Sequence, residues 1–229
     1  MTISHRPLCG CLSFSGNTCD CIKIEHNEHL ILNRSDFTIE WFQYMENPVL
    51  SDGHVPRPFS IGSGPNTCIA AEITKINDMW VFHLWIDGMC YIIAPVDVIH
   101  IWVHFAIIRN RDEFKVYRDG IQIGDTIYNE CILDYTGPSL VLGNESIPRF
   151  LAAFKGCISN FHCAIGTAIY KGEFTKPNRL LPINSDTTVM LRMRSSNSCY
   201  TDSSRFAHTV EYPSDICNIY WISAMPFSI

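Results

Sequence analysis

Short segments rich in β-branched and aromatic residues recur along the whole chain, separated by Gly, Pro, Asn and Asp, and no window holds a helical period longer than two turns. The strand-like segments are 8–15, 19–24, 37–44, 58–62, 79–86, 101–109, 114–117, 121–127, 139–142, 154–164 and 188–193. Side chains alternate across a strand, so each segment has one face to bury and two edges to pair. Segments spaced about 8 to 20 residues apart with no crossover helices predict an all-β fold, a two-sheet antiparallel β-sandwich of the jelly-roll kind. The sharpest local feature is Arg118-Asp119-Gly120-Ile121, because an Asp-Gly pair tolerates the positive φ of a tight hairpin turn. The stretch 164–171 is expected to form one short helical turn.

Composition narrows the function. Lys and Arg number 17 against 23 Asp and Glu, a formal charge of −6, which is the wrong balance for a nucleic-acid binder that must release counterions. Apolar residues make up 47% and charged ones 17%, which excludes a disordered chain and leaves apolar surface for contact. Residues 1–16 lack the apolar run of a signal-peptide core, so the chain is expected not to be secreted by that route and its 11 cysteines to be reduced. The longest apolar stretch, 92–108, is interrupted by Pro95, Asp97, His100 and His104, and predicts no membrane span.

A boundary falls near residue 205, after the polar runs 195–198 and 202–204. Residues 1–205 are expected to form the sandwich, and 206–229 a C-terminal extension whose last eleven residues carry no charge. Such a tail must be covered. Two readings stay open: an extra strand packed on its own sandwich, or a docking arm on a neighbouring protein. For the arm, Tyr220, Trp221, Met225 and Phe227 are the anchors, because large side chains dominate interface energetics.

Three stretches carry a resemblance. Ser35-Asp36-Phe37-Thr38-Ile39-Glu40-Trp41-Phe42, preceded by Leu12-Ser13-Phe14-Ser15-Gly16-Asn17, resembles two opening strands of the laminin G-like, concanavalin A-like jelly-roll superfamily. Trp102-Val103-His104-Phe105-Ala106-Ile107-Ile108-Arg109, followed by Phe114-Lys115-Val116-Tyr117-Arg118-Asp119-Gly120, is similar to its central strand pair. Phe154-Lys155-Gly156-Cys157-Ile158-Ser159-Asn160-Phe161, with Gly166-Thr167-Ala168-Ile169-Tyr170 and Phe174-Thr175-Lys176-Pro177, is similar to its closing series. The match runs in order over about residues 10 to 203. It implies two packed sheets and a binding or structural role without catalysis. Phage and large DNA virus members of the superfamily often sit in virion or fibre proteins, and many relatives bind sugars. Some relatives bind Ca²⁺ through loop carboxylates, but no matching ligand set is present.

The residues themselves point away from an enzyme. Glycosidases need two carboxylates about 5 to 9 Å apart, and the E-x-D-x-x-E strand pattern is absent. Glu25 and Glu28 lie in the polar run Glu25-His26-Asn27-Glu28-His29, which reads as a solvated connection. There is no G-x-S-x-G, P-loop or H-E-x-x-H. His100 and His104, on a strand, would stand about 13 Å apart, too far to share one metal. With His104 facing outward, Val103, Phe105 and Ile107 would face the core.

Cys9, Cys11, Cys19 and Cys21 flank an expected hairpin at 15–18. In that register Leu12, Phe14, Ile22 and Ile24 face inward and all four thiols share the opposite face. Three readings stay open: a zinc site, a disulfide, or semi-buried thiols under a neighbouring strand or subunit. Cys68, Cys90, Cys131, Cys157 and Cys163 read as core or semi-core residues. Trp41, Trp80, Trp85 and Trp102 allow two readings, a sugar-stacking platform or, because each sits in a periodic strand, core packing, which is favoured; Trp85, beside Asp87-Gly88, is the one expected to reach solvent.

The expectation is a non-enzymatic structural protein without cofactor, a minor capsid or other virion component assembled in the host cytoplasm and contacting other capsid proteins. The alternative is a carbohydrate-binding module or adhesin that takes glycans at one end of the sandwich.

Overall fold

The computed structural model describes residues 10–47, 53–63, 66–145, 147–148, 150–212 and 218–223. These hold fourteen strands: β1 (Cys11–Ser15), β2 (Ile22–Ile24), β3 (Phe37–Met45), β4 (Phe59–Ser63), β5 (Asn66–Ile76), β6 (Met79–Ile86), β7 (Met89–Pro95), β8 (Trp102–Asn110), β9 (Glu113–Arg118), β10 (Ile121–Tyr128), β11 (Ser139–Leu142), β12 (Lys155–Ile165), β13 (Thr187–Leu191) and β14 (Tyr220–Ile222). Two single 3₁₀ turns, Glu28–Leu30 and Phe150–Ala152, complete the regular structure of the described residues. No helix among them is long and apolar enough to cross a membrane. The helical turn expected at 164–171 does not form. Ala164 and Ile165 instead finish β12, where pairing with Thr38 and Phe37 satisfies their backbone groups.

The strands form two antiparallel sheets, as the alternating pattern requires. The larger runs β10-β9-β8-β3-β12-β1-β14, with β13 also paired to β12; the smaller runs β2-β11-β4-β5-β6-β7. Their inner faces meet in one apolar core. Trp41 of β3 lies at its centre, its ring 5.0 Å from that of Phe59 in the smaller sheet and 5.6 Å from that of Phe105 beside it. Val103, Phe105 and Ile107 face this core while His104 points away, as the alternation predicts. At the β9–β10 turn Asp119 and Gly120 both take positive φ, +51° and +88°, which is the Asp-Gly hairpin read from the sequence.

The outer face of the larger sheet is closed by the segment 166–182. Tyr170 and Phe174 pack over Ala106, Ile108 and Tyr117, and Leu181 packs over Phe42 and Met190. Beneath them sits a buried polar group. Glu40 accepts from His104 Nε2 (3.0 Å), His162 Nδ1 (2.8 Å) and the Tyr170 hydroxyl (2.9 Å). The segment is pinned where Phe174 N donates to Gly120 O at 2.9 Å.

The hairpin expected to carry four thiols is not formed. β1 pairs with β12 and β14 in the larger sheet, whereas β2 pairs with β11 in the smaller one. Leu12, Phe14, Ile22 and Ile24 all reach the core as expected, but from opposite sheets. Cys11 is therefore buried beside Cys157, Cys19 is exposed in a turn and Cys21 is half-buried. All three are free thiols, and Cys9 lies outside the described residues.

The chain after residue 205 returns to its own sandwich wherever it is described. Glu211 exchanges backbone hydrogen bonds with Lys23. β14 adds to the edge of β1, and Trp221 donates from Nε1 to Met193 O at 2.9 Å while its ring packs on the core. Tyr220, on the same strand, is 56% exposed. Met225 and Phe227 lie outside the described residues.

Candidate functional site

The smaller sheet has the more open outer face. Along β5 and β6 the residues pointing away from the core are Ala70 and Glu72, opposite Trp85 and His83. On the edge strand β7, Cys90 stands opposite Trp85 and Ile92 opposite His83. Ser60 of β4 and Ala70 are small, which leaves room above the sheet beside Glu72. Arg57 fills that room from the segment just before β4.

Arg57 and Glu72 organise the cluster. The guanidinium donates to Glu72 Oε2 from Nε (3.2 Å) and Nη2 (3.1 Å), and to Glu145 Oε2 from Nη1 (2.6 Å). Its carbon lies 4.9 Å from the centre of the Trp85 ring, within reach of a cation–π attraction. The Trp85 indole donates to Glu72 Oε2 at 2.8 Å, and His83 Nδ1 meets Glu72 Oε1 at 3.1 Å. Burial alone would raise the Glu72 carboxyl, but the hydrogen bonds from His83, Trp85 and Arg57 and the charge of Arg57 outweigh it and hold the carboxyl below its usual range. Burial, then the charge of Glu72, push the Cys90 thiol up.

The result is a half-buried indole on the outer face of the sheet, held at its N–H by Glu72 and over its ring by Arg57. An aromatic surface held this way loses little rotamer entropy on binding. Around it β7 exposes Met89, Cys90 and Ile92. Thr67, reached by Arg57 Nη1 at 3.4 Å, and the exposed Asp87, which accepts from the Tyr135 hydroxyl, supply polar groups at the neighbouring strand ends.

Of the residues singled out in the sequence, the structure places Trp85 here and Trp41 in the core; Trp80 and Trp102 are partly buried packing residues. Cys90, expected in the core or at its margin, is exposed. Glu72, His83, Arg57 and Glu145 gave no sequence signal, because they meet only through strand pairing and a turn 88 residues away from Arg57. Glu25 is tied to Lys23, His26 and Ser139, while Glu28 opens a 3₁₀ turn capped by Asn27, so they form no catalytic pair.

Two other clusters carry chemistry-bearing residues. Asp202 Oδ2 lies 2.7 Å from His208 Nδ1, but the far nitrogen of His208 faces His29 at 3.2 Å, where a catalytic dyad would need a hydroxyl or thiol. A shallow pocket of about 260 Å³ on the 166–182 segment is lined by Tyr170, Lys176, Asn178, Arg179 and Leu181 among others. Lys176 there is already bound to Asp119 (2.9 Å) and to Trp102 O (2.9 Å).

No protein-family profile matches the sequence, and no curated protein matches it. Solved structures do match the fold. A "putative carbohydrate binding protein" from Bacteroides ovatus superposes with a TM-score of 0.63 at 11% identity, over 95% of this chain and 60% of that one. This chain thus spans less than two thirds of that protein. The heptameric SAP-like pentraxin of Limulus polyphemus superposes with a TM-score of 0.56 at 11% identity, over 96% of this chain and 95% of that one. Domains LG4–5 of the mouse laminin α1 chain align with 74% of this chain and 47% of that one, at 12% identity and a TM-score of 0.45, too partial a likeness to argue from. The viral part of the expectation finds no support in these likenesses. The chain folds as a two-sheet antiparallel jelly-roll sandwich, the fold of the Bacteroides ovatus and Limulus polyphemus structures.

Proposed function

We propose that this chain is a non-enzymatic glycan-binding module that presents Trp85 on the outer face of its smaller sheet. The observation that carries the reading is the braced, half-buried indole, fixed by Glu72 at 2.8 Å and by Arg57 at 4.9 Å. An apolar ring set among polar groups suits a sugar, which offers C–H faces together with hydroxyls. The likeness in fold to a protein described as carbohydrate-binding supports it. A hydrolytic role is not supported. Glycosidases need a carboxylic acid with a raised pKa, whereas Glu72 is held below its usual range and Glu145, the nearby second carboxylate, shares Arg57 with it.

The assembly reading ranks second. Its one specific observation is Tyr220, exposed on the edge strand β14, a place where another chain can add. A capsid role in particular draws no support from the fold comparisons.

The test is a glycan array probed with the wild-type chain and with Trp85→Ala. Specific binding by the wild type, weakened about tenfold or more in the variant (~1.4 kcal/mol), is the expected result. Binding that Trp85→Ala leaves unchanged overturns the site, and no binding to any glycan overturns the function.

A further inference from the structure

We propose that Glu72, His83 and Cys90 form a transition-metal site of the zinc class on the outer face of the smaller sheet, with a fourth position open to solvent. Each residue offers one ligand atom, and the three lie within 4.8 Å of one another; among the described residues this is the one group of three or more such side chains so placed. The register creates it: His83 faces Glu72 across one strand boundary, and Cys90 faces Trp85, two residues along from His83 on the same face, across the next.

The donor set selects the metal. One imidazole nitrogen, one thiolate and one carboxylate oxygen suit zinc and its neighbours, whereas calcium and magnesium take oxygen ligands. The spacing suits it too. Bonds of about 2.0 to 2.1 Å in a tetrahedral site put neighbouring N and O ligands roughly 3.3 Å apart, and His83 Nδ1 already stands 3.1 Å from Glu72 Oε1. The ion would take the place of the proton these two atoms share. Cys90 is exposed, and on binding its thiol would lose its proton to solvent.

The surroundings match what a metal ligand needs. Glu72 is oriented by Arg57 and Trp85, all on Oε2, which leaves Oε1 aimed at the site. The His83 side chain is nine-tenths buried, which holds its ring with Nδ1 turned to Glu72. Arg57 pairs with both Glu72 and Glu145, which fixes the Glu72 carboxylate from the side away from the site.

The test uses the full chain, stripped of metal, and needs no glycan, so its failure leaves the glycan reading standing and the reverse holds equally. Titration with Zn²⁺ by calorimetry is expected to show one equivalent bound. Titration with Co²⁺ is expected to give a thiolate-to-cobalt charge-transfer absorption and the strong visible bands of tetrahedral cobalt. Cys90→Ser, at an exposed position where folding is not at risk, is expected to lose the charge-transfer band and to weaken Zn²⁺ binding about tenfold or more. Cys19→Ser, also at an exposed thiol, is expected to retain both. Absence of stoichiometric binding by the wild type, or a band and affinity that survive in Cys90→Ser, overturns the proposal.

Discussion

Glu40 Oε1 lies 2.8 Å from His162 Nδ1, and both side chains are closed to solvent. An ionised carboxylate only accepts, so Nδ1 carries the hydrogen here, and His104 Nε2 does the same on Oε2 at 3.0 Å. Burial pushes this carboxyl up, but the hydrogen bonds from the two histidines outweigh burial and bring it to about 2 from the usual 4.5. The folded state thus favours the ionised form.

That sets a direction for acid. The stabilisation from Glu40 is complete above about pH 4.5 and is lost as pH falls through 2, and a shift of this size corresponds to about 3 kcal/mol. Urea unfolding between pH 6 and pH 2.5 should show the loss. Glu40→Gln should be less stable by about 3 kcal/mol at pH 6 and should converge on the wild type in acid. A difference between the two that is constant with pH would contradict this account.

Gly120 joins the β9–β10 turn to the covering segment. Its φ is +88°, and a β-carbon added there would stand 1.8 Å from Phe174 O. Gly120→Ala is therefore expected to cost about 2 kcal/mol or more. Hydrogen exchange at Phe174 N, which donates to Gly120 O, should accelerate most. A variant with wild-type stability and unchanged protection of that amide would show that the segment is held elsewhere.

Arg57 separates two buried carboxylates. Arg57→Met removes the guanidinium that both carboxylates bind and is expected to destabilise by about 3 kcal/mol at neutral pH. Without the guanidinium the Glu72 carboxyl loses one of the causes that hold it low, so the deficit should shrink as pH falls. A deficit that grows in acid, measured by chemical unfolding of both proteins, would show that Arg57 is not what holds the Glu72 carboxyl low.

How much of this was legible in the sequence depends on the range of the interaction. The run Phe37–Met45 and the Asp119-Gly120 turn declare themselves locally, through alternation and through a residue pair suited to positive φ. β5 does not: its centre, Ala70-Ala71-Glu72, is poor in β-formers, and Ala70 is small where Arg57 lies over the sheet. β7 ends in Pro95 and exposes Met89 and Ile92, so it carries no clean apolar face. The thiol hairpin failed because adjacency in sequence is a weak guide to pairing. β1 finds its partner at 155–158 and β2 at 140–142, and nothing local encodes either. The site cluster is of the same long-range kind; only Trp85 announced itself.

The C-terminal strand makes a stability prediction. Trp221 packs on the core and donates to Met193 O, so Trp221→Ala should cost about 2 kcal/mol. Removing residues 218–229 should lower the unfolding midpoint further, because β1 then loses its edge partner. Light scattering of the full and shortened chains at matched concentration completes the test. Equal stability of the two, with oligomers present only in the full chain, would transfer the strand's role to a neighbouring molecule.

The most direct test of glycan binding at Trp85 follows the indole N–H resonances of the five tryptophans by NMR, with Trp85 assigned through Trp85→Phe, while a panel of mono- and oligosaccharides is titrated. The account predicts that at least one sugar shifts the Trp85 resonance saturably and leaves that of the buried Trp41 in place. A sugar that binds without moving Trp85, or a panel that moves nothing, would contradict it.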